Sequence, residues 1–360
     1  MQICNLELKH FRCFPQIKLA IEGPLSLIVG PNGSGKTSIL EALHYACYLR
    51  SFRSSSPKEL IHFEEDNFFI KINLQDYEIQ FNHDIQIGFT GKKRLVKVDQ
   101  HAISSYKELI KYYRIITITE DDIGLIKEGP DIRRTFIDQA CALINPDFIQ
   151  QLRTYKQILQ NRNALLQGNN VDNASYEIWT AQLFENAQII QKHRQAFLKN
   201  LEQQANKLIG EYFDSVKIAF SYQAKKKTLD ATCLEDFLSR HESLKQQEYL
   251  FKRSLFGPHL DDISIQFKGK ASKSFASRGQ QKLLILLIKI AQLQELTKAQ
   301  GPVILLLDDF MTDFDAEVAQ KLLKILMNLS TQLIFTSPVE AGTFEQQLLK
   351  YGAQRLLLTY

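Results

Sequence analysis

A chain of 360 residues, 44% of them hydrophobic, is long enough for two lobes or one elaborated domain with a substantial core. Its 44 Lys and Arg against 40 Asp and Glu leave a formal charge of +4, which permits a polyanionic partner without requiring one. The five scattered cysteines have no C-x-x-C spacing and argue against a disulfide framework or a zinc cluster. The opening residues carry no basic-then-apolar signal, and the longest apolar run, Leu283 to Ile288, falls far short of the roughly 20 residues of a membrane span. The sequence reads as soluble and cytoplasmic, with no membrane partner.

Residues 2–29 read as strands, with the F-R-C-F segment (Phe11 to Phe14) at a turn that sets Arg12 between two aromatics. The apolar strand Leu25 to Val29 then runs into G-P-N-G-S-G-K-T, Gly30 to Thr37, and a helix-forming run follows. In this phosphate-loop pattern the glycines let the backbone turn its N–H groups inward. Gly30, Pro31, Asn32, Gly33, Ser34 and Gly35 would cradle a triphosphate, with Ser38 in the first helical turn. Lys36 would reach the β/γ-phosphates, and the Thr37 hydroxyl would ligate Mg²⁺. The reading is therefore a nucleotide site for ATP or GTP. Ser56 and Pro57 look like a helix cap and first helical position. Four runs then alternate with period two: Ile70/Ile72/Leu74, Tyr77/Ile79/Phe81, Ile85/Ile87/Phe89 and Leu95/Val96/Val98. They predict an antiparallel meander with one buried face.

From Gly129-Pro130 the period becomes helical. Pro130 starts a helix through Ile144, and Asn145-Pro146 ends it. A seam of Phe148, Leu152, Tyr155, Leu159, Arg162 and Leu166 follows. Beyond the linker at Gly168 comes a second seam of Leu183, Ala187, Ile190, Arg194, Phe197 and Leu201, so the pair predicts an antiparallel helical arm. Each seam holds one arginine, expected to snorkel at its edge or to meet a partner or DNA. Tyr176 and Trp179 read as packing residues, and Lys225-Lys226-Lys227 as a solvated loop.

After about residue 250 the α/β pattern resumes. G-P-H-L-D-D-I-S-I-Q-F enters a strand, and S-R-G-Q (Ser277, Arg278, Gly279, Gln280) opens a strongly apolar helix. Pro302 then introduces V-I-L-L-L-D-D, a buried strand with two acids at its carboxyl end, where ligands of parallel sheets bind. Asp308 is placed to hold Mg²⁺ and Asp309 to orient or deprotonate the attacking water. The phosphate loop and this acidic strand belong to one site, so the helical arm between them is an insertion. The expected division is an N-terminal half of the ATPase lobe over 1–128, a helical arm over 129–250 and the C-terminal half over 251–360. The expected class is α/β, a P-loop ATPase head of mixed sheet and antiparallel meander.

S-R-G-Q resembles the S-G-G-Q signature of ABC-type and SMC ATPases, which by that resemblance contacts the nucleotide of a second subunit. Taken together, F-R-x-F, G-x-N-G-x-G-K-T, the block Thr119 to Asp138, Y-K-Q-I-L-Q-N-R-N-A-L-L (Tyr155 to Leu166), G-P-H-x-D-D, S-R-G-Q-Q-K-L-L and L-L-L-D-D resemble the RecF family over nearly the whole chain. The resemblance implies an ABC/SMC-type head, Arg12 among the ATP-site residues, ATP-dependent homodimerisation and slow hydrolysis. It further implies binding of gapped DNA in recombinational repair and replication, beside the RecO and RecR proteins. The sequence shows no base-reading module, so phosphate contacts should dominate DNA binding, through residues that the sequence does not identify.

Several positions depart from the family pattern. Leu260 stands where Arg is usual, and Met311-Thr312-Asp313-Phe314-Asp315 replaces a small-Ser-Glu-Leu-Asp segment. Thr336-Ser337-Pro338 follows the last core strand where many such ATPases place a histidine, and Asp309 stands in place of a catalytic Glu. Two alternatives are a transporter-type ABC ATPase and a structural SMC-like ATPase. The first spaces its motifs about half as far apart, and the second carries a far longer coiled coil.

Overall fold

The computed structural model describes residues 1–76, 81–168, 170–213, 217–338 and 342–358. The chain divides into two compact units, one of residues 1–122 with 296–360 and the other of residues 123–295. No helix among the described residues is long and apolar enough to cross a membrane.

The first unit is built on a five-stranded parallel sheet. Its strands run in the order Gln354–Leu357, Leu25–Val29, Leu333–Ser337, Ile304–Leu307 and Ile115–Ile118. The three inner strands and the edge strand Ile115–Ile118 are largely apolar and buried throughout, as expected of strands covered on both faces, whereas the opposite edge strand, Gln354–Leu357, alternates. Thr336 and Ser337 lie inside a strand, and that strand is followed by Gln354–Leu357. The expectation that they follow the last core strand is therefore corrected.

The antiparallel meander forms a second sheet in this unit, in the order Phe14–Ala20, Gln2–Phe11, Phe68–Asp76, Phe81–Phe89, Arg94–Val98 and His101–Ala102. Phe81 heads the strand that also holds Ile85, Ile87 and Phe89, so two predicted runs share one strand here; Tyr77 and Ile79 lie outside the described residues. The Gln332 side chain straps the first strand, accepting from the Ile3 N–H at 2.7 Å and donating to the Ile3 carbonyl at 2.9 Å. Ser56 caps a short 3-10 helix, Pro57–Leu60, where a helix start was expected.

In the second unit the predicted helix Pro130–Ile144 is followed by the antiparallel pair Phe148–Gln167 and Asn173–Tyr212. The longer helix has 40 residues, about 60 Å at 1.5 Å per residue, and Asp172 caps it through the Ser175 N–H. Its seam residues are all buried. The two arginines do not snorkel. Arg162 and Glu248 are both fully buried and form a bidentate pair, with Thr180, Ser254 and Tyr176 completing the hydrogen bonds. Arg194 holds Asp138 through two bonds of 2.8 and 2.9 Å and donates to the Pro258 carbonyl. Their acidic partners are distant in sequence, so the seam pattern alone suggested exposed charges. Tyr176 packs as expected, and Lys225 and Lys226 begin a 3-10 helix, Lys225–Asp230, where a loop was expected.

This unit also contains residues 251–295, which the sequence reading assigned to the C-terminal half of the ATPase lobe. The reason is a sheet: Asp262–Phe267 pairs antiparallel with Ile218–Gln223, from Asp262 opposite Gln223 to Phe267 opposite Ile218. Two ties reinforce it. Asp262 pairs with Arg133 at 2.7 Å, and buried Asp261 accepts from Gln191, Tyr222 and the Lys225 N–H. Burial raises the Asp261 carboxyl above its ordinary range, and those hydrogen bonds partly offset the shift.

Removing one member of a fully buried ion pair leaves the other charged and unpaired, at a cost of about 3–5 kcal/mol. Glu248→Ala should therefore lower the stability of the protein by that amount in urea denaturation. A change within about 0.5 kcal/mol would show that the Arg162 cluster does not hold the helices together.

Candidate nucleotide site

The phosphate loop sits where theory places it, between the carboxyl end of Leu25–Val29 and the helix Lys36–Tyr48. Gly33 and Gly35 have φ of +87° and +94°, the left-handed region that a side chain disfavours. A Cβ at Gly35 would also run into the Phe14 ring and the Cys13 sulfur, and one at Gly30 into the Ser34 hydroxyl. At Gly30 and Gly35 the loop therefore leaves room only for backbone, which brings its N–H groups close to whatever lies in it. Lys36 is 5% exposed, and its ammonium donates to the Gly30 and Pro31 carbonyls at 2.9 and 3.2 Å. Among the described residues the buried Ser34 hydroxyl has no hydrogen-bond partner. A cation folded onto its own loop and an unpartnered buried hydroxyl are donor groups suited to a phosphate chain. Asn32 and Ser38 belong to the same loop and first turn.

The parallel register brings the second half of the site to this loop. Asp308 follows Ile304–Leu307, and the Thr37 hydroxyl donates to its Oδ1 at 3.0 Å. The Thr336 hydroxyl, on the adjacent strand, donates to the same Oδ1 at 2.8 Å and accepts the Asp309 N–H at 2.9 Å. Burial raises the Asp308 carboxyl above its ordinary range; the two threonine hydroxyls pull it down, the neighbouring Asp309 carboxylate pushes it up, and Arg53 lowers it again. Asp309 has φ of +46°, a left-handed conformation that Asp and Asn tolerate better than most residues. The Asp308 N–H donates to the Ile118 carbonyl, so the strand leading into the Thr119–Asp122 acidic block ends beside these two acids.

Arg12 occupies the two-residue turn between Phe11 and Phe14, with φ of +54°. Its guanidinium grips fully buried Glu41 bidentately, with the Nε bond at 2.8 Å, and also donates to Ser54 and to the Glu59 carbonyl. Ser51 adds a further bond to Glu41, and Arg53 stands 4.0 Å from it. Arg12 thus anchors the turn to the helix that leaves the phosphate loop.

The S-R-G-Q segment lies in the second unit, at the start of the helix Arg278–Gln300. Ser277 and Gln280 form a capping box: the Ser277 N–H donates to the Gln280 side chain at 3.0 Å, and the Gln280 N–H to the Ser277 hydroxyl oxygen at 3.3 Å. Ser277, Arg278 and Gly279 are exposed. Because Ser277 Oγ acts as an acceptor in the box, its own O–H remains a donor.

Residues 2–352 match the model of the RecF/RecN/SMC N-terminal domain family. Two Streptococcus pyogenes proteins named DNA replication and repair protein RecF, from serotype M49 strain NZ131 and serotype M1, are 30% identical over 346 residues, 94% of this chain and 92% of their own length. The chain belongs to the RecF family. A solved structure of the recombination mediator protein RecF-ATP of the RecFOR pathway agrees with a TM-score of 0.84 at 26% identity, covering 93% of this chain and 91% of that one. The Smc head domain of Pyrococcus furiosus, at a TM-score of 0.51 and 15% identity over 94% of this chain and 90% of that one, shares the fold.

For a RecF-family chain two contributions were not evident from sequence. Thr336 was read only as the absence of a histidine, although its hydroxyl ties both acids to the neighbouring strand. Arg53 lies in a serine-rich segment that carries no motif. Leu260 is half-buried, and the Asp313 side chain lies outside what is described.

Proposed function

We propose that this RecF-family protein binds ATP with Mg²⁺ at the loop Gly30–Thr37, hydrolyses it slowly, and uses the nucleotide to control binding of gapped DNA in recombinational repair and replication, in the cytoplasm. The supporting observation is the contact of Thr37 with Asp308, which joins the phosphate loop to the acidic strand end across 271 residues. Thr37 and Asp308 are oxygen ligands of the kind Mg²⁺ takes, and the ion when bound would neutralise charge on the β- and γ-phosphates. Lys36 would exchange its loop carbonyls for phosphate oxygens. Asp309, held by the Thr336 hydroxyl through its backbone, would orient the attacking water. Its carboxylate is shorter by one methylene than the Glu of faster enzymes, in keeping with slow turnover.

The exposed Ser277 hydroxyl and the N–H groups at its helix start suit the γ-phosphate of a second copy's ATP, so the reading includes a twofold nucleotide-sandwich homodimer. RecO and RecR are the partners this reading adds.

Lys36→Ala should reduce ATP affinity at least tenfold in calorimetry, since charge-assisted contacts are worth roughly 1.5–3 kcal/mol each. Unchanged affinity would remove the loop from the site. Asp309→Asn suits the same left-handed backbone and should keep ATP affinity while losing most hydrolysis. Wild-type turnover would shift the water-orienting role to Glu120 or Asp121. Ser277→Arg should leave ATP binding intact yet block the ATP-dependent dimer in sedimentation. A variant that dimerises like the wild type, or a wild type monomeric at saturating ATP, would end the sandwich reading.

A further inference from the structure

One stretch of the second unit carries charge that neither the nucleotide site nor the core uses. Strand Asp262–Phe267 turns through Lys268 and Gly269 into Lys270–Ala271, and F-K-G-K-A-S-K-S-F continues to Phe275. Phe267 pairs with Lys270, so Lys268 and Gly269 are the two central residues of the hairpin. On the other side the Lys268 N–H donates to the Lys217 carbonyl at 3.0 Å, which sets Lys217 beside the same tip. Lys217, Lys268, Lys270 and Lys273 are all exposed, and among the described residues none of the four makes an ion pair.

Two details show that the charge is presented outward. Lys268 has φ of +53° and Gly269 +74°, the pair of left-handed conformations of a type I′ turn, in which Asn, Asp or Gly is the usual first residue. A lysine there gives up turn stability and gains a cation at the tip. The Lys270 ammonium lies 5.0 Å from the centre of the Phe275 ring, itself 64% exposed, and that of Lys268 5.7 Å from the Phe267 ring. Such contacts hold an ammonium at the surface without cancelling its charge, as a carboxylate would.

We infer that Lys217, Lys268, Lys270 and Lys273 form a surface that binds the sugar-phosphate backbone of DNA. The inference rests on the DNA-binding reading above and adds to it the location that the sequence did not yield. Three unneutralised cations, Lys217, Lys268 and Lys270, grouped on two adjoining strand ends, with Lys273 farther along the chain on the short helix Ser272–Phe275, fit a line of phosphates. They carry no planar fork or amide for reading base edges, so the contact is independent of sequence. Lys270 and Lys273 also lie on the segment that leads directly into Ser277, so any ATP-dependent ordering of that segment would be felt by the DNA surface.

The test is anisotropy of a labelled gapped DNA with ATP and Mg²⁺, titrated at several salt concentrations. The triple variant Lys217→Gln/Lys268→Asn/Lys270→Gln should lose at least about tenfold in affinity. Its log–log salt slope should be shallower by about 2 to 3, at roughly 0.7–0.9 per lost phosphate contact. Lys268→Asn alone should shallow the slope by about 1 while keeping or raising thermal stability, because Asn favours that turn, so a folding defect cannot imitate the effect. Calorimetric ATP affinity should not change. A triple variant with wild-type affinity and slope overturns the surface while leaving DNA binding standing. A wild type with no affinity for gapped DNA overturns both.

Discussion

The strand Leu25–Val29 is the constraint on which the first unit depends. It hydrogen-bonds on one side with Leu333–Ser337 and on the other with Gln354–Leu357, so its two neighbours both come from the far end of the chain. Val29 pairs with Ser337 and with Leu357, and this register fixes the height at which the phosphate loop leaves the sheet. It also sets Thr336 level with Asp308 and Asp309, since Leu333–Ser337 pairs in turn with Ile304–Leu307. The site is thus assembled by strand order, and its side chains meet because four strands end together.

The second unit is organised by buried charge. Arg162 with Glu248, Arg194 with Asp138 and Arg133 with Asp262 each join segments that are distant in sequence. Desolvating such groups is expensive, and the bidentate geometry with added hydroxyl and carbonyl partners offsets much of that cost. What the pairs supply beyond energy is register: a helix slipped by one turn along its neighbour would strand a guanidinium in apolar surroundings. The apolar seam by itself, with leucine and phenylalanine repeated along the helices, discriminates less between such slips.

Legibility followed the locality of each feature. The loop Gly30–Thr37, the turn at Arg12-Cys13, the helix started by Pro130 and the long helix from Asn173 are written in adjacent residues, and the structure has them where the spacing puts them. The resemblance to RecF was legible because many short blocks keep one order. The seam arginines were misjudged because Glu248 and Asp138 announce nothing about where they point. The placing of 251–295 failed for a related reason: pairing of Asp262–Phe267 with Ile218–Gln223 is a choice of partner strand, which alternation of residues does not encode. The role of Thr336 emerges only once two strands are aligned.

The position of Leu25–Val29 within its sheet bears on how the protein is made. At roughly 5–20 residues per second, translation delivers this strand and the phosphate loop well before any of the segments that flank them in the sheet. Through that interval Leu27, Ile28 and Val29, fully enclosed in the finished protein, have no neighbouring strand to cover them. All segments of the second unit are present by residue 295, while the first must hold an apolar strand unpaired until Leu333–Ser337 leaves the ribosome. An apolar strand left unpaired in this way is the kind of surface that favours misassociation during synthesis. The contacts of Asp308 with Thr37 and Thr336 form only once the last part of the chain is present.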